Sequence, residues 1–225
     1  MSEREQLLAS PFLFRFAVPC WYKDPLWKER GAELDETHRL PCYAELDDEP
    51  GAPSRKFADV RAAWSEAGLA FAVHVEGKRQ PPWCRQSRVE ESDGLAVWID
   101  TRDTHNVHRA GRYCHQFHFL PSGGGRSLSD AVAVQVAIAR AKSAAKLADP
   151  SLLQVRGERQ ASGYFLEALV PAKALAGWDP AEHPRIGFMY AVLDRELGEQ
   201  TLSVSGEFPY QNDPSLWGTL ELVGA

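Results

Sequence analysis

At 225 residues, 44% hydrophobic and 10% aromatic, the chain is long enough to bury a substantial core as one large domain. A net charge of −6 with scattered basic residues gives no electrostatic footprint for nucleic acid or an anionic membrane. No apolar run approaches the length of a membrane span, and MSEREQLLASPFLFRF builds no clean apolar stretch before Arg15, so a cytoplasmic location is expected. Cys20, Cys42, Cys84 and Cys114 show no CxxC spacing and are expected to be reduced thiols.

In chain order, residues 1–10 read as a loose or helical leader, 12–18 (FLFRFAV) as a strand, and PCWYKDPLWKERG as an irregular, aromatic-rich stretch. The turn-rich LDDEPGAPSRK (46–56) separates an N-terminal arm, 1–50, from a main body, 51–225, the two forming one structural unit. Strand patterns then recur. Leu69, Phe71, Val73 and Val75 share one face, with His74 and Glu76 on the other. Leu95, Val97 and Ile99 alternate with Ala96, Trp98 and Asp100. In RYCHQFHFL, His115, Phe117 and Phe119 oppose Cys114, Gln116, His118 and Leu120. PSGGGRS reads as a turn and AVAVQVAIA as a strand. SLLQVRG, GYFLEALVP, RIGFMYAVLD and LWGTLELV supply further strands, while only KSAAKLAD and PAKALAGW look helical. Many short strands with Gly and Pro punctuation define an all-β, antiparallel β-sandwich with short helical turns and an N-terminal arm.

The chemistry-bearing residues concentrate in SDGLAVWIDTRDTHNVHRAGRYCHQFHF (92–119), with His105, His108, His115 and His118 close in sequence. A zinc reading fails on geometry, because His115 and His118 point to opposite faces of one strand. GxSxG, HExxH and P-loop patterns are absent, so no catalytic residues are assigned. If His74, Trp98, Gln116 and His118 share a sheet face on neighbouring strands, they form a polar-aromatic wall suited to a ligand.

Taken in order, ELDETHRLP (33–41), AAWSEAGLAFAVHV (62–75), SDGLAVWIDTRD (92–103), CHQFHFLPSGG (114–124), GYFLEALVPAKAL (163–175), IGFMYAVLDREL (186–197) and DPSLWGTLEL (213–222) resemble the family 9 carbohydrate-binding modules and their DOMON-like relatives. The resemblance implies a jelly-roll-like sandwich that binds a mono- or oligosaccharide without catalysis, stacking sugar on tryptophan and bonding its hydroxyls through polar side chains. Trp83 stands broadly where one clamping tryptophan belongs. The family's strand Glu falls at Ala96, and its binding Arg falls near His118, beside Gln116. The second clamping tryptophan falls near Ser203, with Tyr210 as a substitute. Trp217 and Glu167 match structural positions. The expected ligand-binding residues are therefore Trp83, Trp98, Gln116, His118 and His74, with Arg102 and Arg109 at the rim. Calcium, a habit of the family, would draw on Asp100 and Asp103 in one loop. Two alternatives remain: a DOMON-like haem or cofactor domain, for which Met189 is the one internal methionine, and a structural or partner-binding sandwich. Oligomeric state is not legible in the sequence.

Overall fold

The computed structural model describes residues 16–43, 56–204 and 206–224. The expected leader, most of the 12–18 strand and nearly all of the 46–56 loop lie outside the described residues. Eleven strands are described: β1 (Ala17–Tyr22), β2 (Ala58–Ser65), β3 (Gly68–Glu76), β4 (Gly94–Asp100), β5 (Cys114–Gly124), β6 (Asp130–Val136), β7 (Gln154–Gln160), β8 (Gly163–Pro171), β9 (Arg185–Asp194), β10 (Gly198–Thr201) and β11 (Gly218–Val223). The helical pieces are short 3-10 turns, and no helix among the described residues is long and apolar enough to cross a membrane.

Hydrogen bonding runs through the order β6-β5-β4-β9-β11-β1-β2-β3-β8-β7, with β10 paired to β9. The path folds on itself, so that β3 faces β9 and β5. The Phe71 ring stacks on Phe188 with centroids 5.9 Å apart and lies 6.3 Å from Phe119. Pairing is antiparallel except at β1, which runs parallel to both β11 and β2. The two halves approach closely where β7 passes β5. A Cβ on Gly157 would stand 2.1 Å from the Pro121 carbonyl oxygen, so only a glycine fits there.

The period-two patterns decide which side chains face inward. Phe71, Val73, Leu95, Val97, Ile99, Phe117, Phe119, Phe188 and Tyr190 fill the space between the halves. A second, smaller apolar cluster forms on the outer face of β2, β3 and β8, where Ala63, Ala70 and Ala72 are small enough for Leu26, Ala32 and Leu34 to pack down. Glu167 anchors this segment from below. It is buried, accepts the Glu33 N–H at 2.9 Å, and sits where a side chain on Gly31 would go. That is the structural role expected of it.

Several local expectations change. Residues 19–22, read as irregular, belong to β1, where parallel pairing to β11 outweighs the turn-forming Pro19. Pro121–Gly124, read as a turn, extends β5 through a shift in register. KSAAKLAD is irregular, because so short a segment with no apolar stripe cannot offset helix nucleation. β10 was not marked by any alternation.

Candidate functional site

Pairing of β4 with β5 sets Trp98 opposite Gln116 and Ala96 opposite His118, and β9 places Met189 beside Trp98. Trp98, Gln116 and His118 therefore do share the outer face of this half of the sheet. The Gln116 Nε2 and His118 Nε2 atoms are 2.8 Å apart, which requires the imidazole nitrogen to accept and puts its proton on Nδ1. His118 lies edge-on to Trp98 at 6.4 Å, and Tyr210 does the same at 5.2 Å.

The wall is covered. Trp98 is 2%, Gln116 5% and His118 4% exposed. Tyr210 lies against Trp98, and Ser203 Oγ is 3.8 Å from Met189 Sδ on the same face. Tyr210 is held by Glu199 through its hydroxyl and by the Trp217 Nε1–H, which donates to its carbonyl at 2.7 Å. Burial pushes the His118 pKa down to about 4, so the ring is neutral near pH 7. Among the described residues, Trp98 Nε1, a buried donor on this face, has no partner.

The remaining expected site residues are dispersed. His74 is on β3, in the other half of the sheet, where its Nε2 is 2.8 Å from Gln160 Oε1. Its inward-outward alternation was legible, but the identity of its neighbouring strands was not. Trp83 is half-buried, with the Arg195 guanidinium 3.2 Å from its ring centroid, so one face of the indole is already stacked. Arg102 donates to the Gly177 carbonyl and lies over Tyr113 at 4.6 Å, while Arg109 donates to the Arg140 carbonyl. Both tie loops together rather than line the wall.

The four clustered histidines separate too. His115 faces the interior, with Nδ1 3.0 Å from Gln135 Nε2, while His105 reaches Thr219 and Asp103. His108 Nδ1 lies 3.1 Å from Asp213 and 3.0 Å from Ser215 Oγ. Serine and aspartate meet the same ring nitrogen, so this trio cannot pass a proton as a catalytic triad does. Asp100 and Asp103 do not fit a calcium cradle. The oxygens of Asp100 accept the Arg102 and Thr104 N–H groups, and Asp103 is drawn towards Arg185, Thr219 and His105. Among the described residues, no group of three or more His, Cys, Asp or Glu side chains is arranged to hold a metal ion.

One buried polar cluster escaped sequence reasoning. Lys78 Nζ lies 2.5 and 2.6 Å from the Asp194 oxygens and 3.2 Å from Asp93, with all three residues buried. Burial alone would lower the Lys78 pKa, but hydrogen bonds and charge from Asp194 and Asp93 outweigh it and hold the pKa above its usual value. Lys78 stands in a charged, Pro-flanked stretch that reads as surface, so no local signal pointed inward. The four cysteines are buried as thiols, and burial raises those of Cys20 and Cys114 to about 12.

The described residues thus form a β-sandwich with Trp98, Gln116 and His118 on one face of its sheet. The chain belongs to the carbohydrate family 9 binding domain-like family, whose model matches residues 35–225. Several solved structures share the fold, two of them in complex with a sugar. These two are a family 9 carbohydrate-binding module from Caldicellulosiruptor kristjanssonii in complex with cellotriose (TM-score 0.61, 14% identity, 94% of each chain covered) and one from the same organism in complex with glucose (TM-score 0.62, 13% identity, 94% of this chain and 96% of that one). No curated protein sequence matches the chain.

Proposed function

We propose that this protein is a non-catalytic carbohydrate-binding module that takes a mono- or oligosaccharide on the Trp98–Gln116–His118 face. The observation that carries the reading is the convergence of these three side chains on one sheet face, with the Trp98 Nε1 donor buried and without a partner among the described residues. An indole surface beside an amide and an imidazole supplies both a stacking plane and directional hydrogen bonds, the two demands of a sugar ring. Family membership and the sugar complexes of the two structural neighbours support the same ligand class. Ala96 provides no hydroxyl-bonding group where related modules carry Glu, so the hydrogen bonding falls to Gln116 and His118. Because Tyr210 and Ser203 cover the face, access requires their displacement from above Trp98 and Met189.

Calorimetric titration with glucose, cellobiose and cellotriose tests this. Saturable binding is expected, weakened roughly tenfold or more by Gln116→Ala, the loss of about one well-made hydrogen bond. Trp98→Phe, which keeps an aromatic ring but removes the indole N–H, should weaken it as well. Absence of binding across the panel, or binding indifferent to both substitutions, would sink the proposal.

A further inference from the structure

The expectation that His74 belongs to the Trp98 wall is wrong in placement, but His74 does line a cavity. Register across β2, β3 and β8 aligns Asp59, His74 and Phe165 in one row and Arg61, Ala72 and Glu167 in the next, on the outer face of the second half of the sheet. The row nearest the Gly68 turn is filled by the 26–34 segment, and Glu167 is taken by its backbone. Beside Ala72 lies a hollow of about 160 Å³, walled by Asp59, Arg61, His74, Gln160 and Phe165. The hollow alone is smaller than common small-molecule sites. It shares Asp59, Arg61 and His74 with an adjoining groove of about 670 Å³, which falls within the range of such sites.

The lining has a definite chemistry. Phe165 is half-buried and offers an aromatic surface 6.3 Å from the His74 ring. Gln160 makes its hydrogen bond through Oε1, so its amide N–H groups have no partner among the described residues, and neither does His74 Nδ1. Of the five Arg61 N–H groups, four are used, by Asp59 twice, Leu34 O and Glu36, which leaves one on Nη1 without a partner among the described residues. Among the described residues lining the groove, three acids (Glu36, Asp59, Glu76) stand beside three bases (Arg39, Lys56, Arg61), a lining that favours neither an anion nor a cation. Spare donors, carboxylate acceptors and one apolar plane in a charge-balanced trough match a ligand whose hydroxyls donate and accept and whose C–H face is apolar.

We propose that this groove on the outer face of β2, β3 and β8 is a second binding site, separate from the Trp98 face, for an uncharged polyhydroxylated ligand of the size of one or two sugar rings. The ring packs on Phe165, and Gln160, His74 and Arg61 bond its hydroxyls. The site does not depend on the Trp98 face binding anything.

The test is an amide NMR titration of the full chain with glucose, cellobiose and cellotriose, repeated on His74→Ala, Gln160→Ala and Gln116→Ala. His74 and Gln160 are outside the apolar core, and retained wild-type melting temperatures in their variants establish that the fold is kept. Saturable shifts are expected at the amides of Asp59, His74, Gln160 and Phe165. His74→Ala and Gln160→Ala should each weaken that response roughly tenfold, the scale of one lost hydrogen bond, and Gln116→Ala should leave it unchanged. Shifts confined to β4, β5 and β9 would overturn this site while leaving the Trp98 face in place. Outer-face shifts that survive both outer-face substitutions, or no response there to any of the three sugars, would overturn it outright.

Discussion

His115 and His118 sit two residues apart on β5, one facing the core and the other the opposite side, and burial holds both pKa values near 4. In the unfolded chain they titrate near the usual value of about 6.5. Between these values the unfolded chain binds more protons, so the two rings contribute stability that is fully present above pH 6.5 and is lost as pH falls towards 4. The upper bound is on the order of 3 kcal/mol per ring. Urea unfolding should therefore show markedly lower stability at pH 5 than at pH 7.5, and His118→Gln should flatten that dependence. An identical pH slope in wild type and variant would refute the assignment. The same burial separates what residue identity suggests from what the residue does. Four histidines close in sequence look like ligands, and the strand turns them to different partners.

At the scale of elements, Lys78 acts as a tie. It follows β3, Asp93 precedes β4, and Asp194 ends β9, so one ammonium joins strands from both halves of the sheet at one end of the sandwich. The Asp93 oxygens also accept the Trp83 and Arg195 N–H groups, which ties the 83–93 connection to the end of β9. Replacing Lys78 by Met would leave two carboxylates buried without their cation. We expect a loss of about 3–5 kcal/mol, read as a lower urea midpoint, with partial recovery when Asp194→Asn is added. A Lys78→Met variant as stable as wild type would show that the cluster does not hold the ends together. None of this was legible from the strand patterns, because a lysine beside a turn is ordinarily solvated.

For the whole molecule, the decisive feature is where the first described strand goes. β1 lies between β11 and β2, and the hydrogen-bonded path between the two halves runs through it. The family match begins at residue 35 and so leaves β1 out. A chain starting at residue 35 would expose the β11 edge and uncover Trp64 and its neighbours, an invitation to edge-to-edge pairing. The full chain is expected to melt in one cooperative transition, whereas residues 35–225 alone should aggregate or melt without a sharp transition, as followed by circular dichroism and size-exclusion chromatography. Cooperative, monomeric melting of the shorter chain would show that β1 is dispensable.

Strand existence and the inward face of most strands were written locally, because a period of two in Leu95–Asp100, Cys114–Leu120 or Leu69–Glu76 is set by the residues themselves and survives in any sheet. So was the grouping of Trp98 with Gln116 and His118, since β4 and β5 are consecutive strands and consecutive strands tend to pair. Strand neighbours distant in sequence were decided only by folding: His74 went to the second half of the sheet, β1 went beside the last strand, and Lys78 went inward to Asp93 and Asp194. The covering of Trp98 by Tyr210 and Ser203 belongs to the same class. These contacts join residues that no local period relates, and their energies arise from burial and charge pairing that exist only once both partners are in place.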